Sequence, residues 1–86
     1  LVIESSLAIE LLGHTDNTGT VEGNRRLSED RAFAVKRWLQ SRSMRDFPDK
    51  RFSRVQGFGQ DMAIESNSTP AGRAKNRRVE IVRGRQ

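Results

Sequence analysis

A histidine, a threonine and an acid stand in a row at His14, Thr15 and Asp16, inside the run "GHTDNTG" (residues 13 to 19) that glycine opens and closes. Each residue type suggests a chemistry. A nucleophilic relay would need a positioned hydroxyl or thiol, but cysteine is absent, His14 is the only histidine, and Ser28 lies in no nucleophile motif. A calcium loop opening at Asp16 would need glycine at its sixth position and glutamate at its twelfth, where the chain has Val21 and Leu27. Neither catalysis nor a metal site is therefore expected, and His14 reads as a strand-end residue bonded to nearby backbone. What remains is a carboxylate set on a turn, able to accept hydrogen bonds from an ammonium or a guanidinium.

A cation for that acid is suggested by a break in a pattern. Leu27, Ala34, Val35, Trp38 and Leu39 recur at steps near 3.6 and define one helical face, and Arg31 falls four residues after Leu27 and four before Val35. A charge inside an apolar stripe snorkels to its edge, pairs with an internal acid, or faces a site that needs a cation. Two readings of Asp16 with Arg31 stay open. One is a structural salt bridge pinning loop to helix; the other is a receptor for a zwitterion, with Asp16 taking an ammonium and Arg31 gripping a carboxylate with its planar fork.

The elements that must position these residues follow from the same patterning. "LAIELL" (residues 7 to 12) reads as a buried strand that Gly13 ends, followed by a polar loop running to Arg26. "LSEDRAFAVKRWLQSR" (residues 27 to 42) holds no Gly or Pro and reads as the main helix, with Asn24 as its N-cap and Glu29 and Asp30 near its positive end. Ser43 to Lys50 is a connection in which Pro48 blocks helix continuation. "RFSRVQGFG" (residues 51 to 59) is a second strand closed by Gly57 and Gly59; Thr69 then caps a short helix with Pro70 in its first turn. "RRVEIVR" (residues 77 to 83) closes the chain's pattern as a strand with Val79 and Ile81 on one face and Glu80 on the other. The order strand, helix, strand, short helix, strand predicts an α/β fold in the broad α+β sense: a mixed sheet with helices packed on one face.

Size and composition bound the rest. The 86 residues make one domain, with hydrophobic residues at 34% and charged residues at 31%, so the core must be small. No apolar run is long enough to span a bilayer. A net charge of +5, carried by thirteen arginines among sixteen basic residues, points to an anionic partner. The alternative reading is accordingly a basic interaction module that binds nucleic acid or anionic lipid through the C-terminal arginines. Against it, "GRAKNRRVEIVRGR" (residues 72 to 85) has no aromatic residue for base stacking, and "GFGQDM" (residues 57 to 62) lacks a phosphate-binding lysine and the full dinucleotide spacing.

Taken together, "GHTDNTG", "NRRLSEDRAFAV", "VQGFG" and "NSTPAGRAKNRRVEI", in that order, resemble the OmpA-like C-terminal domain, the family of the peptidoglycan-associated lipoprotein and MotB. The resemblance covers residues 7 to 82, with residues 1 to 6 left as a remnant or linker. It implies non-catalytic binding of peptidoglycan in the periplasm through the meso-diaminopimelate of the stem peptide, with no cofactor and no nucleic acid. The whole protein would be anchored in the outer or inner membrane by segments outside this sequence. It further implies that the acid of the "TD" pair and the arginine of "LSxxRA", here Asp16 and Arg31, clasp the amino-acid end of that residue. Asn24, Thr15, Leu27 and Arg77 match positions lining the same pocket. The sequence departs from the family pattern at Ala63, where a proline is usual, and over Ser43 to Lys50, where the connection is longer. The family fold also opens with a further strand and a long helix, which "LVIESS" is too short to supply. A truncated chain or a second chain completing the sheet, as in a homodimer, would account for that.

Overall fold

The computed structural model describes residues 7 to 83; the remnant expected at residues 1 to 6 lies outside them. Strand β1 (Ile9–His14) leads through helix α1 (Val21–Arg42) to a 3-10 turn (Asp49–Arg51) and strand β2 (Phe52–Gly57), and helix α2 (Pro70–Asn76) precedes strand β3 (Arg78–Arg83). The sheet order is β2-β1-β3, with β1 parallel to β2 across the α1 crossover and antiparallel to β3. The expected element order and mixed sheet are therefore present.

β1 is the centre of the fold because it alternates. Ile9 and Leu11 are buried and pack with Ala32 of α1, ringed by Val35, Phe47, Phe52, Val55 and Val79. Leu12 and His14 leave on the opposite face. Gly13 does not end the strand as expected: β1 runs through His14, and Gly13 pairs with Gly57 of β2 and Val79 of β3. Its role is to admit the helix. A Cβ at Gly13 would fall on the backbone carbonyl of Ser28, and one at Gly57 would fall on the Ser28 hydroxyl and the Glu29 amide. Two paired glycines thus let α1 approach the sheet at Ser28, which is fully buried.

That close approach corrects the expected helix. α1 begins at Val21, six residues before the first apolar residue of the pattern, and its N-cap is Thr20, whose Oγ1 accepts from the Gly23 amide at 3.0 Å. Asn24 is not a cap; it lies inside the helix and is buried. The residues facing the sheet in the first turns are Asn24, Ser28 and Ala32, small or polar side chains at steps of four. Leu27 and Trp38, expected on the core face, are 41% and 56% exposed. The sequence carries two stripes of the same period, and the glycine floor selects the one made of small residues. Arg31 lies on the α1 flank facing β3, beside Ala34 and Val35, instead of within the core contact.

α2 starts as expected, with Thr69 Oγ1 accepting from the Gly72 amide at 3.0 Å and Pro70 in the first turn. It ends on Asn76, which is fully buried. The Asn76 side chain accepts from the amides of Ile64 and Glu65 and donates to the Glu65 carbonyl and to Asn67 Oδ1. All four hydrogen-bonding positions of that amide are filled, which fastens the loop before α2 and fixes the chain where it enters Arg77.

Candidate functional site

The turn after β1 is held by its backbone. The Thr15 amide donates to the Gly59 carbonyl at 2.8 Å, and the Asp16 carbonyl accepts from Thr15 Oγ1 at 2.8 Å and from Asn24 Nδ2 at 3.3 Å. Asn24 also donates to Gln60 Oε1 at 2.9 Å, so it ties the turn, α1 and the loop after β2 together. Thr15 and Asn24, both expected to line a pocket, are buried residues that place Asp16.

Asp16 itself is 6% exposed. Its Oδ1 accepts from the Thr18 amide at 2.9 Å, a local turn of the kind aspartate favours, and its Oδ2 accepts from Arg77 Nη1 at 2.6 Å. The Thr18 amide and then the Arg77 guanidinium hold its carboxyl below the ordinary carboxylate value, and burial opposes them. The acid is therefore ionised at neutral pH. Its cationic partner is Arg77, not Arg31 as the salt-bridge reading expected.

Arg31 and Arg77 nonetheless share a groove of about 430 Å³, lined also by Ala34, Val35, Arg78 and Val79. The alanine and two valines give it an apolar floor suited to methylenes, and the arginines give it a cationic rim suited to a carboxylate. Arg31 makes no ion pair among the described residues, whereas Arg77 is held by Asp16 and Arg78 by Glu80 at 2.8 Å. Leu27 stands one helical turn before Arg31 and is exposed. Of the six expected site residues, five therefore surround one turn and one groove. Leu27 is at its approach.

Two contributors escaped the pattern reading. Gln60 and Gly59 come from the glycine turn after β2, weighed above as a strand end and a nucleotide signature but not as part of the site, and they brace Asn24 and Thr15. Gly59 has φ 61°, and its amide donates to the buried Ser28 hydroxyl at 2.9 Å. A glycine required at a left-handed position beside a helix was the available signal.

His14 stands outside this site. It stacks on Phe58 with ring centroids 5.6 Å apart, its ring nitrogens have no hydrogen-bond partner among the described residues, and Glu80 lies 3.7 Å from Nε2. The backbone bond expected of it is not made there. Burial first, then the nearby Arg78, lower its pKa, so it is neutral at pH 7. No group of three or more metal-ligating residues occurs among the described residues, and no helix among them is long and apolar enough to cross a membrane.

The family model described as the OmpA family matches residues 2–77. The probable lipoprotein YiaD of Escherichia coli is 43% identical over 74 residues, which are 86% of this chain and 32% of that protein. The peptidoglycan-binding protein ArfA of Mycobacterium tuberculosis is 45% identical over 74 residues, 86% of this chain and 22% of ArfA. The chain thus spans a third or less of the length of these two relatives. Among solved structures, the C-terminal domain of Helicobacter pylori MotB superposes with a TM-score of 0.84 at 25% identity, covering 98% of this chain and 62% of that one. The cell wall anchor of the T6SS from Pseudomonas aeruginosa does so with a TM-score of 0.73 at 31% identity, covering 88% and 53%.

Proposed function

Because the chain belongs to the OmpA family, we propose that it is a non-catalytic peptidoglycan-binding module that fixes a membrane-attached protein to the cell wall. The peptidoglycan binding for which ArfA is named and the wall-anchoring role of the T6SS protein support that reading. The ligand is the stem peptide, held by the amino-acid end of its meso-diaminopimelate. One observation carries this assignment: an ionised, nearly buried acid, Asp16, stands on a turn braced by α1 and by the loop after β2, next to a groove with an apolar floor and Arg31, which has no ion pair among the described residues. The ammonium goes to Asp16, the carboxylate to Arg31, and the methylenes lie over Ala34, Val35 and Val79.

The parent protein works in the periplasm, attached to the outer or inner membrane by segments beyond this sequence, a reading that the lipoprotein name of YiaD supports. Single clasps of this size bind weakly, and many copies along the wall supply strength by avidity. The competing reading, a basic module for nucleic acid or anionic lipid, is disfavoured by where its arginines go: Arg77 is spent on Asp16, Arg78 on Glu80 and Arg73 on the Asn67 carbonyl.

Titration with two soluble stem peptides that differ only in carrying diaminopimelate or lysine tests the assignment. Lysine lacks the second carboxylate and leaves Arg31 without a partner, so the diaminopimelate peptide should bind at least tenfold tighter. Equal binding, or binding that disappears steeply with salt for any anion, would favour the competing reading.

A further inference from the structure

The pair that the sequence did not anticipate, Asp16 with Arg77, bears on how the site chooses its ligand. Asp16 cannot turn toward an incoming group: its carbonyl is held by Thr15 and Asn24, its Oδ1 by the Thr18 amide, and its side chain is 8% exposed. Arg77 is different. Its backbone is rooted after the fully buried Asn76 and its amide is bonded to the Arg73 carbonyl, but its side chain is 44% exposed and ends on Asp16 Oδ2. The outer oxygen of the acid is thus already occupied by a guanidinium on a movable arm. An ammonium that seeks the same oxygen meets that arm first.

We propose that Arg77 is a resident counter-ion standing where the ligand's ammonium must go, and that its displacement gives the site its preference for a zwitterionic head over a simple amine. This rests on the reading of the site given above. The argument is a count of charge pairs. A simple amine that takes Asp16 breaks one ion pair and makes one. It also leaves Arg77 unpaired in a groove that already holds Arg31, so its net gain is small and like charges are crowded. A zwitterion breaks the same pair but brings its own carboxylate into the groove. That carboxylate receives the released Arg77 as well as Arg31, so no cation is stranded. A ligand that is only a carboxylate finds Arg31 but leaves Asp16 and Arg77 paired. The resident arm therefore penalises each half of the head when it comes alone. Arg77 is in this sense a specificity-determining residue, and its planar two-pronged fork matters because it exchanges one carboxylate for another.

The test uses the domain as it stands, Arg77→Gln and Arg77→Lys, titrated calorimetrically with the diaminopimelate and lysine stem peptides, with carboxyl NMR of Asp16 in the absence of ligand. Arg77→Gln removes the competitor and one grip at once. It should bind the lysine peptide several-fold tighter than the parent and the diaminopimelate peptide more weakly, so that selectivity falls at least tenfold. The ligand-free Asp16 carboxyl should titrate higher in this variant. Equal weakening for both peptides, or no change for either, overturns the proposal and makes Arg77 an ordinary wall of the groove. Should Arg77→Gln fail to fold, Arg77→Lys carries the test: it keeps a charge on Asp16 but loses the fork, so selectivity should fall at least threefold while Asp16 still titrates low. Unchanged selectivity there overturns the proposal as well. A parent that binds neither peptide sinks the wall-binding reading itself, and a parent that binds and selects while Arg77→Gln leaves selectivity intact sinks only the role of Arg77.

Discussion

Replacing Asp16 by asparagine separates the acid's part in the fold from its part in binding. Asparagine keeps the shape, and its Oδ1 can still accept from the Thr18 amide, so the turn that places residue 16 survives. The charge on Oδ2 is lost. The bond from Arg77 at 2.6 Å is charge-assisted and would contribute about 1.5–3 kcal/mol if fully sheltered. Because the Arg77 side chain is 44% exposed, solvent screening brings this down to about 1 kcal/mol. For a domain of this size that corresponds to a melting temperature lower by roughly 4–8 °C. Binding should suffer more, because the ligand's ammonium loses its only carboxylate in a nearly buried position; removing one partner of such a pair costs about 2–5 kcal/mol, or at least ~30-fold in affinity. Thermal unfolding followed by circular dichroism gives the first number, and calorimetric titration with the diaminopimelate stem peptide at 25 °C gives the second. The pH profile offers a third reading. The Asp16 carboxyl is held below its ordinary value, so its stabilisation is fully present above the usual carboxylate range and is lost as pH falls through the lowered value. Asp16→Asn should lack that acid limb. A variant that binds within threefold of the parent would refute the clasp, and one that melts more than about 20 °C lower would show that Asp16 is chiefly a structural residue.

The remaining predictions concern the residues around that acid. Arg31→Ala should leave the unfolding free energy within about 0.5 kcal/mol, since Arg31 has no ion pair among the described residues, yet abolish pull-down by purified cell wall; retention of pull-down would remove it from the site. Gly13→Ala should destabilise by about 2–3 kcal/mol in urea titration, because its Cβ would fall on the Ser28 carbonyl in the middle of the sheet–helix contact; a change under about 0.5 kcal/mol would mean the helix yields freely. His14→Phe tests the unpartnered imidazole: its folded pKa lies below the ordinary 6.5, so the unfolded chain takes up the proton first and stability declines as pH drops below 6.5. The variant should remove that decline while keeping the stack on Phe58, and an unchanged profile between pH 7 and 5 would assign the decline elsewhere.

How much of this was legible in the sequence depended on whether a signal was local. The Thr69-Pro70 start of α2 and a buried strand through Ile9 and Leu11 follow from short-range patterning and are found, whereas of Val79 and Ile81, expected together on one face of β3, Val79 packs on the core and Ile81 is 57% exposed. The start of α1 was missed because Gly23 and Asn24 look like loop residues. The Thr20 cap is a local signal that the two loop-forming residues masked, whereas the buried slot that holds Asn24 beside Gln60, thirty-six positions away, has no local signature. The helix face was misassigned for a related reason. Leu27, Arg31 and Trp38 and Asn24, Ser28 and Ala32 are both stripes of helical period, and hydrophobicity favours the first. The choice between them was made by Gly13 and Gly57, which lie on two strands far apart in sequence and admit only small side chains where they meet α1.

The amino-acid sequence by itself determined the element order, the placement of Asp16 on a turn at the end of β1, and the chemistry that a lone acid and a cluster of arginines can perform. Tertiary structure decided which arginine the acid holds. Arg31 is fifteen positions from Asp16 and Arg77 sixty-one, so separation along the chain favours the first. Charge pairing is set by distance in space, however, and antiparallel docking of β3 on β1 sets Arg78 opposite His14 and so brings its neighbour Arg77 to 2.6 Å from Asp16, leaving Arg31 in the same groove without an ion pair among the described residues.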